Sequence, residues 1–288
     1  MTDARLRQSL ADFARRLHAR GWVANHDGNV TARIGTAGDA GQGRYLATPT
    51  ATSKADVTSD NLIIVDEGGR AVSGAGKPFS EIGLHLTIYR ARPDVHAIVH
   101  AHPPTATGFS VAGVSLLDQP LIAEAVVSLG TGVPTVPFAQ PGEAACRALS
   151  PFLAAHDAVL VQNHGVFAWG RDLEQAYLRL ELVEHLARIA LVAHQLGGAR
   201  PVPREAIPGL LEARRKAGLG AAASVTAGDA PGAAPPRAVF ACAPPPPGSD
   251  VVLVEDRKKS RSTSSAVPPQ SGDLAAIIRE EIAAALKK

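Results

Sequence analysis

His100 and His102 lie one residue apart in the run His96-Ala-Ile-Val-His100-Ala-His102-Pro-Pro. Residues two apart on a strand point to the same side, so this pair can offer two imidazole nitrogens to one metal ion at about 2.0–2.1 Å. His96 shares that side and is a rival ligand. A further histidine, His164, follows the apolar run Ala158-Val-Leu-Val-Gln162 within Asn163-His164-Gly165. Strand ends followed by glycine turns are where α/β folds place their chemistry. Three imidazoles with an open position form a catalytic divalent site rather than a closed structural one. Glu81, just after Pro78-Phe79-Ser80, falls in the first turn of a helix with His85 one turn later on the same side. A carboxylate there either complements the helix dipole or stands ready for proton transfer. His18, His26, His156, His185 and His194 read as surface or polar-contact residues.

The elements that must position these groups are legible from hydrophobic spacing. Leu6, Leu10, Phe13 and Leu17 mark an opening helix that Gly21 ends. Short β-like runs follow at Tyr45–Thr48, Leu62–Asp66, Ala97–His102, Thr135–Ala139, Ala158–Gln162 and Val166–Trp169. Helical patterns lie between them at 80–91, 141–155 and 172–196, the last opened by Asp172 and closed by Gly197-Gly198. Strands interleaved with helices predict an α/β layered domain around a central sheet. No internal repeat, GxGxxG or phosphate-binding P-loop is present, so nucleotide binding has no support.

The chain has 288 residues and a formal net charge of +2, enough length for one or two domains with a real core. Dispersed Lys and Arg at that charge argue against a nucleic-acid binder. No run of about 18 apolar residues suggests a membrane span. The charged, amphipathic N-terminus lacks the pattern of a secretory signal. Two distant cysteines, Cys146 and Cys242, fit a reducing compartment. The expectation is a cytoplasmic protein.

Composition changes near residue 218. Residues 219–271 hold nine of the 22 prolines, including Pro244 to Pro247, with many Ala, Gly and Ser, the signature of a disordered linker. The pattern then turns helical over 272–288, where Leu274, Ile277, Ile278, Ile282 and Leu286 share one side behind a cap at Asp273. A lone helix of about 15 residues is marginal in water, so this apolar stripe needs a partner, either its own domain or another protein.

Taken together, Gly28-Asn29, Thr48-Pro49-Thr50, Ser80-Glu81, Tyr89-Arg90-Ala-Arg92-Pro-Asp94, His100-Ala-His102 and Asn163-His164-Gly165 resemble the class II aldolase/adducin family, that of L-fuculose-1-phosphate aldolase. The resemblance spans about residues 5–218, the first domain. It implies an α/β/α three-layer sandwich and a homotetramer with active sites between subunits. It also implies one Zn2+ per subunit on His100, His102 and His164, with Glu81 as the acid/base carboxylate. Metal and base together favour an enzyme over a structural, adducin-like scaffold. Asn29, Thr50 and Ser80 match the family's phosphate-binding positions. Ala51 and Phe79 stand where the sugar-phosphate aldolases have Gly and Ser, and the Asp27 charge would repel phosphate if it faced the site. Glu124 matches an acid/base Glu of the family's dehydratase branch; as a bare residue it is equally a helix-start carboxylate. The tail resembles the encapsulation peptides of bacterial microcompartment cargo enzymes, which implies shell proteins as partners.

The reading that unites these features is a metal-dependent lyase performing retro-aldol cleavage of a small sugar phosphate. A second keeps the metal but decarboxylates or dehydrates a substrate without phosphate, in line with Phe79, Ala51 and Glu124. A third is a non-enzymatic scaffold.

Overall fold

The computed structural model describes residues 3–35, 43–116 and 119–220. Alternation along two neighbouring strands sets the plan. On β5 (Ala97–Ala101), Ala97, Val99 and Ala101 enter one apolar cluster and Ile98 another. On β8 (Gly165–Gly170), Val166 and Ala168 join the first, Phe167 and Trp169 the second. Successive side chains of a strand point to opposite faces, so one sheet divides two cores.

The remaining strands are β1 (Asn29–Ile34), β2 (Arg44–Ala47), β3 (Ile63–Val65), β4 (Ala71–Ser73), β6 (Thr135–Val136) and β7 (Ala158–Val161). Their spatial order is β4-β3-β2-β1-β5-β8-β7-β6, antiparallel throughout except for the parallel pair β6–β7. Residues of α1 (Asp3–Ala19), α3 (Pro104–Ala112), α4 (Ala123–Leu129) and α6 (Leu173–Gln195) cover one face. Residues of α2 (Ile82–Ala91) and α5 (Glu143–Leu149) cover the other. A last helix, α7 (Ile207–Lys216), packs on α4. This is the three-layer α/β/α sandwich that the sequence resemblance implies.

Two buried carboxylates tie the elements together, one within a layer and one between layers. Helix α3 starts at Pro103-Pro104, where no side chain can cap it. Glu184 of α6, 1% exposed, does so from outside, accepting from the Ala106 amide at 2.9 Å, the Thr105 hydroxyl at 2.8 Å and the Thr105 amide at 3.3 Å. A carboxylate at that end satisfies orphan amides and suits the dipole. Asp157, immediately before β7 and fully buried, meets Arg92 at 2.9 Å, Arg179 at 2.9 Å, and Arg214 of α7. Arg92, also paired with Asp94 at 2.7 Å, thereby serves the fold rather than the cleft described below.

The Thr135–Ala139 run forms only the two-residue β6, and β1, β4, α3, α4 and α7 join the elements read from spacing. Residues 221–288 lie outside the described residues. They include nearly all of the expected linker and the whole 272–288 helix, with Leu274, Ile277, Ile278, Ile282 and Leu286. No helix among the described residues is long and apolar enough to cross a membrane.

Candidate metal centre

Strand β5 carries His100 on the α2 side of the sheet, directly opposite Phe167 of β8 and Asn29 of β1 in the strand register. His100 is fully buried, and its ring stacks on Phe167 with centroids 3.9 Å apart and planes 13° from parallel. Its Nδ1 lies 2.9 Å from the Val166 carbonyl oxygen. A carbonyl only accepts, so Nδ1 carries the proton and Nε2 is left with its lone pair facing His102 and Glu81. Burial drives the His100 imidazolium down to about 3, which keeps this ring neutral at pH 7.

His102, just past the end of β5, brings Nε2 to 3.1 Å from His100 Nε2. His164 arrives from the β7–β8 hairpin, whose strands close at the Val161–Gly165 pair. Asn163 turns that hairpin at φ +55°, a left-handed conformation that Asn tolerates. Two residues on, the chain must carry glycine: a Cβ on Gly165 would lie 2.5 Å from both the Ala101 carbonyl oxygen and His102 Cδ2. Chain segments about sixty residues apart thus bring candidate ligand nitrogens of His100, His102 and His164 within 4.8 Å of one another. His96 lies outside this group.

Glu81, at the N-cap position of α2, closes the arrangement. Its Oε1 lies 2.5 Å from His164 Nε2, and its Oε2 lies 3.4 Å from His100 Nε2. Asn29 Nδ2 donates to the same Oε2 at 2.7 Å. Burial alone would raise this carboxyl, but the facing imidazoles and the Asn29 amide hold it well below the usual carboxylate range. Tetrahedral ligands at about 2.0–2.1 Å from one ion lie about 3.3 Å apart, close to the 3.1 Å between the His100 and His102 nitrogens. Three imidazoles and an ionised carboxylate are a donor set that fits a divalent cation.

The group opens into a cleft of about 640 Å³. Asn29, Thr50, Ser80, Glu81, His102 and His164 line it. Asp27 does too, but its carboxylate lies 3.8 Å from His102 Nδ1. At that distance it makes no hydrogen bond to the ring, and its charge faces the cleft, the position in which the sequence expected it to oppose phosphate. Phe79, 7% exposed, forms part of the wall and meets His85 edge to face at 5.1 Å. Glu124 is not brought to this cleft: it is exposed in the first turn of α4. Spacing did not point to Phe167, although alternation on β8 places it opposite His100. Lys54, a buried lysine lining the cleft, follows no periodic pattern.

Comparison with known proteins identifies the family. The family described as Class II Aldolase and Adducin N-terminal domain matches residues 8–191. Methylthioribulose-1-phosphate dehydratase of Methylococcus capsulatus is 30% identical over 62% of this chain and 88% of its own length. L-fuculose phosphate aldolase of Methanococcus maripaludis is 30% identical over 64% of this chain and 95% of its own. 3-oxo-tetronate 4-phosphate decarboxylase of Pectobacterium atrosepticum is 29% identical over 66% and 86%. The crystal structure of YgbL from Escherichia coli superposes with a TM-score of 0.66 at 27% identity, covering 73% of this chain and 99% of that one. With the fold, the histidine group and a family match over most of the described residues, the chain belongs to the class II aldolase and adducin family.

Proposed function

We propose that the protein is a metal-dependent aldehyde-lyase that cleaves a small sugar phosphate, such as a deoxyketose 1-phosphate, into dihydroxyacetone phosphate and an aldehyde. The observation that carries this reading is the approach of Glu81 to His164 and His100, at 2.5 and 3.4 Å, inside an open cleft. His100, His102 and His164 would hold one divalent ion per subunit, with Zn2+ the proposed metal because neutral imidazoles suit it. Such an ion supplies Lewis acidity toward a ketose carbonyl and its neighbouring hydroxyl.

The chain's own groups carry the proton transfers. As the carbon–carbon bond breaks, the hydroxyl carbon becomes a carbonyl and loses its O–H proton, while the other carbon keeps the electron pair. Glu81, ionised at rest, takes up a proton from solvent, delivers it to that second carbon, and removes it in the condensing direction. Asn29 holds the carboxylate in place for both. Glu124 is assigned the hydroxyl proton. Its exposure outside its own subunit's cleft means it can serve only across a subunit interface, which joins its role to the proposed homotetramer.

The test is His100→Ala, which should abolish bound metal and turnover together; retained activity would refute the assignment. A second reading, decarboxylation or dehydration, is favoured by Phe79 in the cleft wall. Assaying phosphorylated and unphosphorylated ketoses for aldehyde, CO2 and dehydrated product separates these reactions. A scaffold would show sub-stoichiometric metal and no turnover.

The tail reading belongs to the same proposal: Leu274, Ile277, Ile278, Ile282 and Leu286 would dock on shell proteins and place the enzyme in a microcompartment lumen. Residues 272–288 fused to a fluorescent protein should then reach shells. Loss of activity on deleting them would instead assign the helix to the enzyme's own core.

A further inference from the structure

The cleft is lined by three carboxylates, Asp27, Glu81 and Glu143, and by one Lys or Arg, Lys54. That lysine begins a short 3-10 turn (Lys54–Asp56) and is 1% exposed. Its Nζ donates to the His26 carbonyl at 3.1 Å and to the Thr52 carbonyl at 2.9 Å, bridging two loops of the cleft rim. An ammonium has three N–H donors; among the described residues the third has no acceptor, and no carboxylate reaches the group as an ion-pair partner. Burial pushes the ammonium down to about 8, with Asp27 opposing only in part. A buried cation with no carboxylate at ion-pair distance is costly, and an anion entering the cleft would relieve it. Thr50 and Ser80 line the same space and supply hydroxyl donors. Phe79, in the wall beside them, supplies none.

We propose that Lys54 is a specificity-determining residue that receives the phosphate monoester of the substrate, supplying the positive charge that the hydroxyls of Thr50 and Ser80 lack. The proposal rests on the sugar-phosphate reading of this cleft. It separates two tasks in the site: the histidine group addresses the reacting carbonyl, and Lys54 addresses the anionic end that anchors the molecule. A lysine acts on phosphate as a compact charge, so its loss should weaken binding more than it slows chemistry.

The experiment compares the full chain with Lys54→Met and Lys54→Arg. In K54M the inhibition constant of inorganic phosphate and the KM of a phosphorylated ketose should rise about tenfold or more, with a smaller change in kcat. K54R, which keeps the charge, should restore most of the loss, and the KM of an unphosphorylated ketose should rise far less than that of the phosphorylated one. Equal losses on both ketoses would mean that Lys54 only braces the loops and would overturn the proposal, as would unaltered inhibition by phosphate. If K54M does not fold, phosphate is titrated into the metal-free wild-type chain carrying 15N-labelled lysine. The Lys54 Nζ signal should move, and a stationary signal overturns the proposal. Should no ketose be turned over, the lyase reading falls while this titration still decides Lys54.

Discussion

Asn29 and Glu81, 52 residues apart in the chain, are joined by a 2.7 Å hydrogen bond from the Asn29 amide to Glu81 Oε2. The bond crosses from the first residue of β1 to the N-cap of α2 and leaves Oε1 against His164. Glu81→Gln keeps this size but cannot accept and return a proton. Turnover should fall by about 10²–10⁴-fold with bound metal retained, measured by steady-state kinetics and metal analysis on the same sample. Loss of the metal as well would make Glu81 chiefly a ligand.

Gly165 tests the approach of the β7–β8 hairpin to β5. A methyl group there meets the Ala101 carbonyl and His102 Cδ2 at 2.5 Å. Gly165→Ala should therefore displace His102 or His164, weakening metal affinity by at least tenfold and lowering stability by roughly 1–3 kcal/mol. Calorimetric metal titration and denaturant unfolding read the two effects separately.

Glu184 offers a stability test away from the cleft. Glu184→Ala removes the acceptor for the Thr105 and Ala106 amides and should cost about 1–3 kcal/mol. Because α3 begins two residues after His102, metal affinity should fall as well; an unchanged affinity would limit Glu184 to folding.

His85 gives a pH dependence whose sign can be worked out. Burial holds it down to about 3, against about 6.5 in the unfolded chain. The unfolded state therefore takes up a proton first as pH falls. Stability from this residue is intact above about 6.5 and declines by about 1.4 kcal/mol per pH unit toward 3. His85→Gln should flatten the measured stability–pH slope in that window by this amount. An unchanged slope would show that His85 accepts a proton in the folded state.

Ala51 adopts φ +55°, the left-handed region that disfavours a side chain. Ala51→Gly should raise stability by about 0.5–1 kcal/mol; a fall in the denaturant midpoint would show that the turn is not strained.

Much of the site was readable because its signals are local. The His-x-His spacing survives folding as two neighbouring nitrogens, since the strand period carries both rings to one side. Asn163-His164-Gly165 read as a turn, and it is one. What could not be read is convergence: only the β5–β8 pairing, set by cores on both faces of the sheet, brings His164 to His100. Strand β1 was missed because Asn29 and Thr31 point polar groups into the α2 side, where they bond Glu81 and His85, so its pattern is not an apolar alternation. Lys54 was missed because a single lysine in a Thr/Ser-rich loop looks like a solvated charge. Its ammonium is held by the His26 loop, which reaches it from an earlier part of the chain.

His102 and His164 leave from adjoining antiparallel strands at the same border of the sheet. An ion gripped by both would act as a rivet there, closing the seam where the ladder runs out of backbone partners. Chelation should accordingly speed amide hydrogen exchange at the Ala101 and Gly165 ends first, leaving the Ala97 and Gly170 ends as slow as before. The catalytic centre and the clasp of the sheet would then be one object, and the protein would wear at its working end when starved of metal.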